Sequence, residues 1–145
     1  MNLTDITVSR MIPASPEKIF DVWIDPKSPG GPWFGAARLI FNPMVDGLFY
    51  FVVNHQNRDW PHYGRFIQID RPRKIEHTWV SEATKGVESK LTITFEPRGD
   101  QTEVTIHHAG VPDDEMGRQH KDGWTWILSM LEQGMAARRS ASSSD

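Results

Sequence analysis

The 145-residue chain contains no cysteine, which excludes a disulfide framework, a thiolate nucleophile and a cysteine-ligated metal. It also lacks a long apolar run, since the longest one extends only from Leu48 to Val53 and is far too short to span a bilayer. The first ten residues have neither the basic nor the apolar region of a signal peptide. These absences predict a cytoplasmic protein without membrane insertion.

Several functional motifs are missing as well. The 16 basic and 19 acidic residues are interspersed and give a net charge of −3, so no positive stripe for nucleic acid is present. Neither a nucleophile elbow nor a phosphate-binding loop occurs. No zinc-binding HExxH spacing occurs, and the adjacent His107 and His108 project to opposite faces of a strand. We therefore expect neither nucleic acid, nor a metal, nor a cofactor.

The first part of the chain combines a strand, a short helix and a loop. Imperfect alternation from Leu3 to Ile12 predicts strand one. Ser15 followed by Pro16 is typical of a helix N-terminus, and apolar residues at helical spacing continue that helix to about Ile24. The proline- and glycine-rich segment 27–32 predicts a loop.

Short segments of strand character then follow, separated by turn residues. The clearest is 87–96, where apolar and polar residues alternate so that one face is dry. Short connections favour antiparallel hairpins. The predicted strands are Arg38–Phe41, Gly47–Asn54, Tyr63–Ile69, Lys74–Val80, Val87–Glu96 and Thr102–His108.

A long helix is predicted after the acidic segment that begins at Pro112. Its apolar stripe recurs at three- and four-residue intervals and comprises Met116, His120, Trp124, Ile127, Leu128, Leu131 and Met135. We expect one domain over 1–137 and a disordered tail over 138–145, where apolar residues are scarce. The predicted class is α+β: an antiparallel sheet of six to seven strands, strongly curved around the C-terminal helix, with a short helical segment after strand one.

The order of these elements resembles the helix-grip fold of the START and birch-pollen-allergen-like (SRPBCC) superfamily. One branch is more similar, the family related to the C-terminal domain of the activator of Hsp90 ATPase. The landmarks that carry the resemblance are 14–20, Trp23, 25–26, 33–35, Gly47, Gly64, Pro72, 78–79, 91–95, His120 and 122–124. Relatives usually carry a short helix where this chain has 28–32. The resemblance implies a cavity between sheet and helix, with a ligand preference that differs here.

Strand parity indicates which side chains face that cavity. His77 shares parity with Trp79, and His108 shares it with Ile106, so both histidines are expected to point inward. Tyr63 and Arg65 could anchor a carboxylate or hydroxyl, with outward projection as the competing interpretation. The predicted ligand-binding residues are Trp33, Phe49, Phe51, Tyr63, Arg65, His77, Trp79, Leu91, Ile93, His108, His120, Trp124 and Ile127.

Three functional hypotheses remain open. The first is a non-enzymatic domain that binds a small apolar or aromatic molecule, the aromatic residues forming its walls; these residues could instead simply fill a core. The second, implied by the family, is interaction with an Hsp90-type chaperone. The third is a cyclase, dehydratase or hydrolase in which His77 or His108 shuttles a proton. The ligand itself, and the choice between monomer and homodimer, are not encoded in any recognisable pattern.

Overall fold

The computed structural model describes residues 1–143, with side chains to Ser140. Within this range the chain forms seven strands and three helices. A single 3-10 turn over Glu82–Thr84 follows β5. The elements are β1 (Leu3–Ile12), α1 (Pro16–Trp23), β2 (Ala37–Phe41), β3 (Leu48–His55), β4 (Arg58–Asp70), β5 (Lys74–Ser81), β6 (Ser89–Arg98), β7 (Gln101–Pro112), α2 (Glu115–Arg118) and α3 (His120–Ser143).

All seven strands belong to one antiparallel sheet with the order β1-β7-β6-β5-β4-β3-β2. Each strand from β2 to β7 pairs with its neighbours in the chain, and β1 closes the far edge against β7. The long helix α3 carries its buried residues Trp124, Leu128, Leu131 and Met135 at the predicted spacing. The predicted helix-grip fold is therefore confirmed.

The helix that follows β1 forms for the reasons visible in the sequence. Ser15 is its N-cap and accepts a hydrogen bond from the Lys18 N–H through its side chain, and Pro16 occupies the first turn, where a missing N–H costs nothing. The helix ends at Trp23, with Ile24 as its C-cap. It buries Ile19, Phe20, Val22 and Trp23 against the sheet.

The C-terminal helical region differs from the prediction because it is broken. Asp114 caps α2 and accepts from the Gly117 N–H at 2.7 Å. Gly117 lies so close to the Pro112 carbonyl that a Cβ would stand 1.8 Å from its oxygen. The chain therefore makes one tight turn as α2 before α3 begins at His120.

The end of α3 also differs from the prediction. The sequence suggests disorder from 138 onward, whereas α3 continues to Ser143. Arg138 donates to the Pro29 carbonyl at 2.9 Å, and Arg139 pairs with Asp100 at 3.3 Å. Long charged side chains thus secure a segment that has little apolar surface. Residues 144–145 of the predicted tail lie outside the described residues.

The loop before Trp33 is confirmed as irregular, since residues 24–36 form turns and bends. Its backbone packs directly on α3: a Cβ at Gly134 would stand only 3.2 Å from Gly30 Cα. The residue Gly30 has a φ of +91°, a conformation that glycine adopts without strain. The two glycines therefore allow the loop and helix backbones to touch, which places Trp33 over the sheet.

Candidate functional site

A cavity of about 680 Å³ lies between the sheet, the loop before β2 and the helices α2 and α3. Strands β3, β4 and β5 supply one wall, and α3 supplies the opposite one. The cavity opens to solvent beside exposed apolar side chains, among which Phe34 is 52% and Trp126 is 61% exposed. The predicted residues that line it are Trp33, Phe51, His77, Trp79, Leu91, His120, Trp124 and Ile127.

Five other residues of the predicted set do not line the cavity. Phe49, Ile93 and His108 are buried behind its wall, each at most 1% exposed. Tyr63 and Arg65 face away: Tyr63 is 50% exposed, and Arg65 pairs with Asp46 at 2.7 Å on the surface. The expectation that Tyr63 or Arg65 anchors a ligand there is corrected, because their positions on β4 alternate with those facing inward.

Trp79 is the centre of the aromatic wall. Its ring packs edge-on against Trp124, with centroids 5.0 Å apart, and lies 5.1 Å from His62 and 5.8 Å from Phe51. The His62 ring stacks on Phe51 at 4.9 Å with an angle of only 11°. Ring pairs prefer edge-on or offset-stacked geometries, so the wall consists of aromatic rings in mutual contact.

Two indole N–H groups in this wall have no partner. Within the described residues, Trp33 Nε1 and Trp79 Nε1 are the buried side-chain nitrogen or oxygen atoms without a hydrogen bond. Both residues line the cavity. A buried donor without an acceptor lowers the stability of the fold by roughly 1–3 kcal/mol. Cores that serve only to pack the protein normally avoid such unpaired groups.

His77 lies beside an irregularity in the pairing of β4 with β5. The register shifts between Phe66 and Gln68, directly after the pair Phe66↔His77. Next to it, the Arg65 N–H donates to Thr78 Oγ1 at 2.8 Å, and His77 Nδ1 donates to the Thr78 carbonyl at 2.8 Å. The carbonyl can only accept, so Nδ1 carries the proton and Nε2 is left as an acceptor.

His108 belongs to a buried chain of hydrogen bonds. Trp124 Nε1 donates to His108 Nδ1 at 3.0 Å, His108 Nε2 donates to Ser89 Oγ at 2.7 Å, and Ser89 Oγ donates to the Trp79 carbonyl at 2.6 Å. This is the arrangement in which every hydroxyl, imidazole and indole proton has an acceptor. Both nitrogens of His108 are occupied, so of the two histidines considered for a proton shuttle only His77 keeps a free ring nitrogen.

We expect Ser89→Ala to lower the free energy of unfolding by about 1–3 kcal/mol, because it leaves the buried imidazole N–H of His108 without a partner and removes one hydrogen bond from the Trp79 carbonyl. Urea denaturation measures this. The matched control is Ser9→Ala on β1, where an exposed Ser9 bonds to Thr105 and the expected loss is below about 0.5 kcal/mol. Equal losses in the two variants would contradict the assigned chain.

Four histidines surround Trp79 and Trp124, and burial lowers the pKa of each. Desolvation lowers the pKa of His62 and His77 to about 4, and that of His108 to about 2. It also lowers the pKa of His120, although the Gly117 carbonyl at Nδ1 acts in the opposite direction. All four rings are therefore neutral at neutral pH.

Sequence reasoning missed several lining residues, His62 and Trp60 above all. They lie on the first part of β4, which was predicted to begin only at Tyr63. Pro61 interrupts the strand pattern there, and the segment pairs with β3 before its ladder with β5 begins at His62. The two-residue spacing of Trp60 and His62 could have indicated that both side chains lie on the same face of a strand. Trp60 is further held by Arg58, whose guanidinium lies 4.2 Å from the ring centroid.

Two kinds of feature are absent from the described residues. No helix in this part of the chain is long and apolar enough to cross a membrane. No group of three or more histidine, cysteine, aspartate or glutamate side chains within it is arranged to hold a metal ion.

The curved sheet, the long helix and the internal cavity define a helix-grip protein. The model of the family described as activator of Hsp90 ATPase homolog 1-like protein matches residues 13–136, and the chain belongs to that family. No curated protein matches the sequence significantly.

Solved structures share the fold at low identity. Protein CV1439 from Chromobacterium violaceum is 20% identical with a TM-score of 0.75, over 90% of this chain and 96% of that one. The Mll3558 protein from Rhizobium loti is 18% identical with a TM-score of 0.74, and the match covers 92% of this chain and 97% of that one. CalU16 from Micromonospora echinospora is 17% identical with a TM-score of 0.72, and the match covers 96% of this chain and 80% of that one.

Proposed function

We propose that this protein binds a small aromatic or apolar molecule in the cavity between its sheet and its C-terminal helix. The observation that carries the proposal is a cavity of about 680 Å³ with walls of packed aromatic rings, a volume within the usual range for small-molecule sites. Burial of apolar surface yields about 25 cal/mol per Å². A two-ring ligand would therefore bind in the micromolar range once association costs are subtracted.

The first test uses tryptophan fluorescence, because Trp79 and Trp124 line the cavity. Titration with a panel of two- and three-ring aromatic compounds and medium-chain fatty alcohols should give a saturable response to at least one compound. A panel without any saturable response would contradict the proposal.

A variant that narrows the cavity mouth sharpens this test. Gly123 lines the cavity at an exposed position of α3, and apart from the helix's own backbone nothing lies within 4 Å of the place where its Cβ would stand, so Gly123→Leu should fold normally. We expect its ligand affinity to fall by about tenfold or more, since the isobutyl group obstructs the entrance to the cavity. Thr125→Leu adds the same side chain at an exposed position of α3 outside the cavity and should bind like the wild type.

The family match favours a second candidate, interaction with an Hsp90-type chaperone. The outer face of β2, β3 and β4 exposes large apolar side chains, with Ile40 64% and Leu48 61% exposed, as interaction surfaces often do. A pull-down with an Hsp90-type chaperone and an assay of its ATPase rate would test this. Binding that Leu48→Lys abolishes would support it, and no binding with no rate change would eliminate it.

A further inference from the structure

The polar groups of the cavity suggest which ligands it selects. None of the lining residues, all of which lie in the described part of the chain, is lysine, arginine, aspartate or glutamate. A carboxylate or an ammonium group entering the cavity would lose its hydration without gaining an opposite charge, which is costly. The cavity is therefore suited to a neutral ligand.

Three histidines of the wall are held in the same tautomer by backbone carbonyls. His62 Nδ1 donates to the Trp60 carbonyl at 2.9 Å, His77 Nδ1 to the Thr78 carbonyl at 2.8 Å and His120 Nδ1 to the Gly117 carbonyl at 2.8 Å. A carbonyl oxygen has no proton to give, so in each neutral ring Nε2 keeps its lone pair. The cavity wall thus carries three imidazole acceptors whose donor roles are already used.

His77 lines the cavity, although the residue as a whole is only 1% exposed. Its ring makes one hydrogen bond among the described residues, through Nδ1, which leaves Nε2 free as an acceptor. An acceptor in this position gains most from a donor on the ligand, because competing water is scarce.

Other polar side chains of the wall do not offset these acceptors. The Trp60 and Trp124 indole N–H groups already donate, to the His55 carbonyl and to His108. The unpaired Trp33 and Trp79 N–H groups are sealed from the free space of the cavity. Ser81 is 6% exposed, and its oxygen accepts from the Ala83 N–H, which leaves its hydroxyl proton as a donor. Asn54, His55 and Gln119 are exposed at the rim. Inside the rim, the wall therefore offers a ligand three imidazole acceptors and one hydroxyl donor.

We infer that the cavity selects neutral aromatic molecules that carry a hydroxyl or N–H donor, and that His77 Nε2, with His62 and His120, accepts that hydrogen bond. This inference rests on the proposed function and names its ligand class. The lowered pKa of His62 and His77 supports it, because rings with a pKa of about 4 remain acceptors at neutral pH.

Three probes with the same ring system test the inference by calorimetry at neutral pH: 2-naphthol, 2-methoxynaphthalene and 2-naphthoate. We expect 2-naphthol to bind roughly tenfold more tightly than the methoxy compound, which has no donor, and the naphthoate anion to bind most weakly. Equal affinities for naphthol and methoxynaphthalene, or tightest binding of naphthoate, would overturn the inference but leave the proposed function intact. No binding of any probe would count against the proposed function itself.

Two further measurements assign the acceptor. In wild-type protein, the ¹⁵N signal of the accepting Nε2 should shift when 2-naphthol is added and not when 2-methoxynaphthalene is added. His62→Phe keeps a flat ring against Phe51 and should lose part of the naphthol preference, and His77→Leu should lose most of it. His107→Phe replaces a half-exposed histidine of β7 outside the cavity; it serves as the control and should keep the preference. An unchanged ¹⁵N spectrum with an unchanged preference in both test variants would refute the assignment.

Discussion

Replacing Gly64 by alanine should lower the free energy of unfolding by about 3 kcal/mol or more, in the range of severe overpacking and backbone displacement. A Cβ at this position would stand 2.1 Å from the Thr78 carbonyl oxygen and 2.6 Å from two carbons of the Phe49 ring. Real structures do not tolerate such distances. The backbone of β4 would have to move away from β5, because the atom in the way is the Thr78 backbone oxygen and not the end of a flexible side chain.

The same substitution should also disturb the cavity. The Thr78 carbonyl accepts from His77 Nδ1, and the Phe49 ring packs 4.9 Å from the His77 ring. A displaced Thr78 would therefore release His77. We expect any Gly64→Ala protein that folds to bind aromatic ligands more weakly.

Gly123→Ala is the matched control for the Gly64 substitution. It adds a methyl group where no atom lies within 4 Å, inside α3, and should be neutral or stabilising by up to about 1 kcal/mol. Urea denaturation of both variants provides the comparison. A loss below about 1 kcal/mol in Gly64→Ala would contradict the close approach described here.

Acidification from about pH 6.5 to about pH 4.5 should lower the free energy of unfolding by about 3–5 kcal/mol, because buried histidines stay neutral in the fold. His77 and His108 are at most 1% exposed, and their pKa is lowered to about 4 and about 2. In the unfolded chain the same rings take up protons near their ordinary pKa of about 6.5.

The direction follows from proton binding. Below about pH 6.5 the histidine rings bind protons in the unfolded state but not in the folded state. The free energy of unfolding therefore falls as the pH falls, by up to about 1.4 kcal/mol per pH unit for each such ring. For His62 and His77 the loss ends near about pH 4, where the folded protein also becomes protonated. Above about pH 6.5 these rings are neutral in both states and contribute no pH dependence.

Urea denaturation at several pH values measures this slope. His62→Phe removes one buried titrating ring and keeps an aromatic ring in contact with Phe51. The slope of the free energy of unfolding against pH should therefore decrease by up to about 1.4 kcal/mol per pH unit, the contribution of one proton. His55→Gln removes an exposed histidine and provides the control. A free energy of unfolding that is constant between about pH 7 and about pH 5 would contradict neutral burial of these histidines.

Local patterns in the sequence predicted most of the fold. Strand β1 has the predicted bounds, and helix α1 begins as predicted and ends one residue before the predicted Ile24, because an alternating segment, an N-cap serine and a first-turn proline act within a few residues. The inward position of His77 and His108 followed from strand parity, since side chains alternate strictly along a strand. Both residues are buried as expected.

The prediction was wrong where a distant contact overrides a local pattern. The start of β4 was missed because Pro61 weakens the strand signal, while pairing with β3 holds the segment in the sheet. The predicted tail is helical to Ser143, and two arginines of α3 bond to residues remote in the chain. Local sequence propensities cannot predict contacts between residues so far apart in the chain.

The residue pattern alone predicts the class of the molecule, the order of its elements and the aromatic character of the surface that faces inward. Which of these side chains border free space depends on the tertiary structure. His77 and His108 have the same parity and similar burial, but His77 lines the cavity and His108 is enclosed by Ser89 and Trp124. The reason is physical: periodicity fixes the face on which a side chain lies, whereas a cavity depends on how far the sheet curves from the helix and on the partners each polar atom finds across that gap.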